Sequence, residues 1–360
     1  MGWFQLFFYV NKSYSWPPKE ESMLVLGIES TCDETAAAVV RDGHEILSNV
    51  IASQTDLHQK YGGVFPELAC RRHVDVMIDV IDQALKEAGI KPEEIDLVAA
   101  ARGPGLIGAI MIGLNAAKAL ALGWKKPFLG IHHVEAHLYA SMIGRKEQLR
   151  FPGIGVVLSG GHTLLLHIED VGSYQLIGTT LDDAIGEAFD KVGSLLGLNY
   201  PAGPLIEKLA KEGDPNRYTL PLPKLKNPYH FSYSGLKTHV LYLVKGQSAK
   251  KSSPVLISEE EKKHVAASFQ EIAFRQICKR TKEAIEKFDC KALYFGGGVT
   301  CNQRLREMFE SQNLSIDLFW PEKELCLDNA AMIAALSVVK FQKNPTSDPF
   351  DLAAMPRIPF

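Results

Sequence analysis

The sequence predicts an α/β protein built as two duplicated lobes, and two hairpins carry that expectation. Apolar runs at 23–29 and 36–40 flank the segment Ser30-Thr31-Cys32-Asp33-Glu34-Thr35, and runs at 153–158 and 164–168 flank Ser159-Gly160-Gly161-His162-Thr163. Both read strand, small polar tip, strand, one in each half of the chain. Amphipathic helical periods alternate with further short apolar runs after each hairpin, which is the α/β signature. Such a repeat suggests two lobes facing a nucleotide-sized cleft.

A chain of 360 residues has room for two domains. With 46% hydrophobic and 22% charged residues it reads as an ordinary globular protein. A net charge of -3 argues against nucleic-acid binding by charge alone, although a local basic patch remains compatible with it. The six cysteines form no C-x-x-C pair, so neither a disulfide framework nor a structural zinc site is indicated, and a reducing cytoplasm fits best. Residues 1–22 read as an upstream extension with Met23 as the functional start, because they lack a basic leader, a cleavage site and membrane-spanning length.

The first tip places Asp33 and Glu34 directly after a buried strand, where they could serve a metal or a proton transfer, or form a plain solvated turn. Val74, Met77, Ile78, Ile81, Ala84, Leu85 and Ala88 set a helical period over 73–88, closed by Gly89. A strand at 95–101 leads through Gly103-Pro104-Gly105-Leu106-Ile107-Gly108 into a small-residue helix ending near 122. That turn reads as close packing rather than anion binding. A strand at 127–131 then delivers Gly130-Ile131-His132-His133-Val134-Glu135-Ala136-His137. His133 and His137 lie one helical turn apart on one face, a ready pair of metal ligands awaiting a carboxylate. Solvated histidines at a polar helix start would look the same. The zincin pattern is excluded, because Val134 and not Glu follows His133.

In the second half, the two glycines of the 159–163 tip would let backbone N–H groups approach a ligand. A helix over 181–196 carries Asp182, Asp183, Glu187 and Asp190, and a break at Tyr200-Pro201-Ala202-Gly203-Pro204 precedes a short helix with Glu207. Residues 214–259 read as a mobile, partly basic insertion with Lys224, Lys226, Lys237, Lys250 and Lys251 available to a polyanion. Gly235-Leu236-Lys237-Thr238 is not a P-loop. Val265 to Phe288 marks a long buried-face helix. The next strand opens into Gly296-Gly297-Gly298, where a base or ribose could lie against bare backbone. Asp328 stands at a helix start, either as its N-cap or as a hard oxygen ligand for the histidine pair.

Gly-Ile-Glu-Ser-Thr-Cys-Asp-Glu-Thr at 27–35, His-His-Val-Glu-Ala-His at 132–137, Leu-Ser-Gly-Gly-His-Thr at 158–163, Ser-Gly-Leu-Lys-Thr at 234–238, Gly-Gly-Gly-Val at 296–299 and Leu-Asp-Asn-Ala-Ala-Met at 327–332 occur in one order. Together they resemble the TsaD family of tRNA N6-adenosine threonylcarbamoyltransferases, from Met23 almost to the C-terminus. The resemblance implies an actin-like, sugar-kinase-like (ASKHA) fold with duplicated mixed sheets and an interlobe cleft. It implies a first lobe of 23–131 with 325–360, and a second of 132–324. It also implies transfer of a threonylcarbamoyl group from threonylcarbamoyl-adenylate to the N6 amine of the adenosine beside the anticodon, forming t6A.

Carried over by position, His133, His137 and Asp328 would hold a divalent metal, iron(II) by preference or zinc. Val157, Leu158, Ser159, Gly160, Gly161, Asp190, Gly203, Glu207 and Asn302 would bind the adenylate, and Asp33 would be the acid/base or tRNA-orienting residue. Ala202 departs from the glycine usual in Pro-Gly-Gly-Pro, and no proposed ligand is lost. The resemblance also implies TsaB-like and TsaE-like protein partners beside tRNA, and no membrane. A metallopeptidase, or an ATP-dependent kinase or ATPase of the same fold, remains the alternative.

Overall fold

The computed structural model describes residues 22–247 and 253–360. Most of the expected N-terminal extension, together with Lys250 and Lys251, therefore lies outside the described residues. In chain order the elements open with β1 (Leu24–Glu29), β2 (Glu34–Arg41), β3 (Glu45–Ser53), α1 (Thr55–Gln59) and α2 (Pro66–Ala88). There follow β4 (Leu97–Gly103), α3 (Ile107–Trp124), β5 (Phe128–His132), α4 (His133–Tyr139), β6 (Gly153–Leu158), β7 (Thr163–Asp170) and β8 (Ser173–Thr179). The chain continues through α5 (Ile185–Leu196), α6 (Gly203–Ala210), α7 (Ser234–Lys245), α8 (Glu259–Phe288) and β9 (Ala292–Gly296). It ends with α9 (Gln303–Glu310), β10 (Asp317–Phe319), α10 (Lys323–Cys326) and α11 (Ala330–Lys343).

The chain divides into two compact units. The first takes residues up to Gln54 with Val64–Lys146 and Asp328–Pro359; the second takes Thr55–Gly63, Glu147–Leu327 and Phe360. The first unit holds a five-stranded sheet in the order β3-β2-β1-β4-β5, and the second a five-stranded sheet in the order β10-β9-β6-β7-β8. In each, three antiparallel strands continue into two parallel ones, β1–β4–β5 and β6–β9–β10. The two sheets thus share one plan, which is the duplication expected from the hairpins.

The first sheet is apolar on both faces, so its central strands read as continuous hydrophobic runs. Leu26, Ile28, Ala37 and Val39 point into a cluster with Met77, Ile81 and Leu85 of α2 and Leu114 and Ala117 of α3. The intervening Gly27 faces α11, where an added Cβ would stand 2.5 Å from Ala330 O. Only a residue without a side chain lets α11 seat there, and that contact brings the Asp328 segment up to the sheet. Helix α3 is long and apolar enough to cross a membrane by length and composition alone, but its Ala109, Ile110, Gly113, Leu114, Ala117 and Ala121 are buried within this unit. In the second unit, Phe189 of α5 meets Phe269 edge-on and stacks on Phe274 of α8, and the same core takes in Phe295 and Phe309.

Three expectations need correction. Residues 132–146 belong with the first unit, because α4 packs on α11, β4 and β5. The described part of the 214–259 stretch around Phe231 is built into the second unit: Phe231 and Tyr233 are fully buried, and the Asp182 carboxylate accepts from Ser232 Oγ, Tyr233 N and Ser234 Oγ. Lys237 is not offered to a polyanion, since it pairs with Asp183 together with Lys191.

Candidate functional site

Helix α4 starts at the end of β5, so the parallel sheet delivers its histidines at the carboxyl edge of the strands. The first of the three is structural. His132 caps the helix, its Nδ1 accepting from Glu135 N (3.3 Å), while Nε2 meets Ile358 O (3.4 Å). Burial pushes its pKa down to about 4, so the ring is neutral.

His133 and His137 turn inward and are buried, with ring centroids 4.5 Å apart and edge-on. Asp328 Oδ1 lies 2.9 Å from His137 Nε2 and 3.7 Å from His133 Nε2. One ligand atom from each of the three residues falls within 4.8 Å of the others. The N-cap of α11 is Asn329, whose side chain accepts from Met332 N (3.0 Å), and not Asp328. The donor set suits iron(II) or zinc: two imidazoles and one carboxylate leave open positions, as in catalytic rather than structural sites. Burial works against a charge on His133, yet the Glu29 and Asp328 carboxylates more than offset it and raise its pKa to about 9. An environment that draws a proton onto a buried imidazole also favours a cation. The residues present fit the metal.

The first hairpin tip stands against this centre. Glu29, at the end of β1, contacts His133, and Thr31 Oγ1 lies 3.2 Å from the same ring nitrogen. Asp33 hydrogen-bonds the Cys32 thiol; burial, with Asp33 and Asp328 nearby, raises that thiol well above its ordinary pKa. Glu34 accepts from Ser53 Oγ at 2.8 Å through one oxygen, while its other oxygen is buried with no hydrogen-bond partner among the described residues. Burial raises its pKa to about 7, against the pull of Ser53 and with help from Asp33 and Asp328. Buried His73 on α2 braces the tip, with Nε2 at 3.0 Å from Cys32 O and Nδ1 at 2.7 Å from Thr35 Oγ1. The Gly103–Gly108 turn packs closely, as expected: a Cβ on Gly105, at φ +154, would lie 2.4 Å from Thr31 O.

The proposed adenylate residues form a connected path in the second unit. Val157 and Leu158 are fully buried, so they can offer a ligand only backbone. Ser159 N donates to His162 O (2.9 Å) and its Oγ accepts from His162 N (3.1 Å), which closes the tip. At Gly160 and Gly161 an added Cβ would meet no described atom within 4 Å. The fold therefore does not require glycine there, whereas close approach of a ligand would. Gly186 N donates to Ser159 O (3.2 Å) and ties the tip to α5, which carries Asp190. Asp190 Oδ1 accepts from Ala202 N (2.7 Å) beside Gly203, and Glu207 Oε1 accepts from Gln303 N (2.9 Å) beside Asn302. Asn302 caps α9 through Oδ1 and donates from Nδ2 to Gln270 Oε1 (2.9 Å).

A cavity of about 200 Å³ is lined by Glu207, Gln270, Gln303 and Arg304, without the tip, Asp190 or Gly203. The glycine run needs a different reading from the expected one. Gly297, at φ +90, would place a Cβ 2.5 Å from Leu158 O, and one on Gly298 would meet Leu327 at 2.9 Å. Packing inside the unit requires glycine at 297, while at 298 the neighbour is the end of an exposed leucine side chain that can move aside.

The sequence model of TsaD, tRNA N6-adenosine threonylcarbamoyltransferase, matches residues 45–335. The chain belongs to the TsaD family. Among relatives of that name, the one from Protochlamydia amoebophila (strain UWE25) is 55% identical over 338 residues, covering 94% of this chain and 98% of the relative. The one from Bacillus subtilis (strain 168) is 44% identical over 331 residues, covering 90% of this chain and 92% of its own. A solved structure of HypF from T. kodakarensis superposes with a TM-score of 0.60 at 14% identity, over 93% of this chain and 50% of that protein. At that identity it speaks to the fold alone. For this TsaD-family chain, sequence reasoning passed over Glu29 and His73 as site residues and set Glu34 aside in favour of Asp33.

Proposed function

We propose that this chain forms t6A in tRNAs reading codons that begin with A, moving the threonylcarbamoyl group of threonylcarbamoyl-adenylate onto the N6 amine of the adenosine beside the anticodon. The convergence of His133, His137 and Asp328 is the observation that ties this activity to particular residues. A divalent ion held by the three, iron(II) by preference and zinc as the alternative, would act as a Lewis acid toward donor oxygens. The rest falls to the chain. The 157–161 turn offers backbone to the donor phosphate, with Asp190, Gly203, Glu207 and Asn302 framing the nucleotide. Holding donor and amine in register supplies roughly 7–11 kcal/mol of the barrier in reactions of this kind. The N6 nitrogen forms its bond to the carbamoyl carbon as the bond to the AMP oxygen breaks, and the amine proton passes to a carboxylate of the Asp33–Glu34 tip.

A zincin-type peptidase carries its base on the histidine helix, but Glu135, the carboxylate in α4, pairs with Lys340 at 2.7 Å. Mass spectrometry of tRNA incubated with the purified chain, donor and partners tests the assignment. Modified adenosine is the expected product; its absence, with casein cleaved instead, would overturn it.

An exposed apolar row supports the reading of a protein partner. Val74 and Ile78 stand one turn apart on α2 and are 63% and 70% exposed, beside Ile107 and Met111 at the start of α3. A net charge of -3 leaves tRNA attraction weak. We assign this apolar row to a TsaB-like partner, with a TsaE-like ATPase and tRNA joining the assembly in a reducing cytoplasm. A Val74→Glu, Ile78→Glu double variant is expected to weaken capture of the TsaB-like subunit at least about tenfold, with its melting temperature close to wild type. Undiminished capture would move the interface elsewhere.

A further inference from the structure

Glu29 is a fully buried carboxylate on a strand otherwise lined by apolar and small residues. Buried carboxylates persist where they are paired and hydrogen-bonded, and here both oxygens are engaged. Oε1 accepts from Thr31 N at 2.6 Å, which fixes the carboxylate plane. Oε2 lies 2.9 Å from His133 Nδ1. An ionised carboxylate can only accept, so Nδ1 must carry the proton. A cation that displaces the other ring proton then finds the lone pair on Nε2, the nitrogen that faces Asp328 at 3.7 Å. His137 lacks such a brace, since its Nδ1 is buried with no hydrogen-bond partner among the described residues.

We propose that Glu29 is a positioning residue for the metal centre: it locks the tautomer and tilt of His133 so that Nε2 is the ligating atom, and raises that nitrogen's basicity. The inference rests on reading His133, His137 and Asp328 as the ligands. It assigns them unequal parts, with His133 braced from behind by a carboxylate and His137 held through its Nε2 contact with Asp328 alone among the hydrogen bonds of the described residues. A neutral amide could satisfy Thr31 N, so structure alone does not call for an acid at this position. A carboxylate behind a ligating imidazole does.

The test titrates the metal-stripped full-length chain with zinc against a chromophoric chelator and records the visible spectrum of the cobalt(II) form. Glu29→Gln keeps the size and shape of the side chain and is expected to weaken zinc binding 10- to 100-fold and to change the cobalt(II) spectrum. Thr31→Val, which removes the hydroxyl 3.2 Å from Nδ1 but spares the carboxylate, is expected to have a smaller effect. It also serves if Glu29→Gln does not fold, because a loss then comparable to His133→Ala would mean the hydroxyl, not Glu29, holds the ring. A folded Glu29→Gln variant with wild-type zinc affinity and an unchanged cobalt(II) spectrum would overturn the proposal. If the wild-type chain itself bound neither ion, or bound both equally well after His137→Ala, the ligand assignment underneath would fall instead.

Discussion

His137→Ala is expected to release the metal and lower t6A formation by about 1,000-fold. A Lewis-acid ion contributes several kcal/mol to charge developing in a transition state, and about 4 kcal/mol corresponds to that factor. With His137 gone, Asp328 Oδ1 loses its 2.9 Å partner and one imidazole leaves the triad. Chelation of the wild-type enzyme should reach the same residual rate, because both routes remove the same interaction. His132→Ala is the contrasting change. It removes a helix cap, costing about 1 kcal/mol of stability, but takes nothing from the centre, so metal content should stay near wild type. The measurements are metal content by mass spectrometry and modified adenosine per tRNA. A His137→Ala protein that is metal-free yet keeps more than a tenth of the wild-type rate would show that the ion is not part of the chemistry.

What the sequence made legible was local. The two hairpin tips and the i, i+4 histidines could be read because each feature lies within a few residues, and the strands because both faces of each sheet centre are covered. Features that depend on a distant partner could not be read. Glu29 looks like an odd acid in a buried strand until His133, far along the chain, meets it. His73 looks like any helical histidine until it closes on Cys32 and Thr35. Asp328 could equally have been a cap, and only the Asn329 bond to Met332 N gives that position to its neighbour. Glycines misled in a related way: the one at 297 answers to backbone inside the unit, while those at 160 and 161 answer to no described neighbour. A glycine becomes a pointer to a ligand only after packing has been subtracted.

That subtraction, applied to carboxylates, separates Asp33 from Glu34. Asp33 is committed to the Cys32 thiol, whereas Glu34 keeps one buried oxygen without a hydrogen-bond partner among the described residues and has its pKa raised by burial to about 7. A base with a pKa near the working pH is the efficient one. The rate of transfer should therefore rise with pH as Glu34 ionises and level off above about 7. Glu34→Gln is expected to abolish that arm and lower the rate about 100- to 10,000-fold, while Asp33→Asn keeps the arm and acts chiefly on tRNA or donor binding. Stability should run the opposite way. The folded state holds the proton more tightly than the unfolded chain, whose value is near 4.5, so the stabilisation is complete below 4.5 and lost as pH rises through about 7. Glu34→Gln should flatten that part of the melting profile while destroying activity, a combination that mere unfolding cannot produce. A Glu34→Gln enzyme retaining the wild-type pH arm would return the proton-accepting role to Asp33.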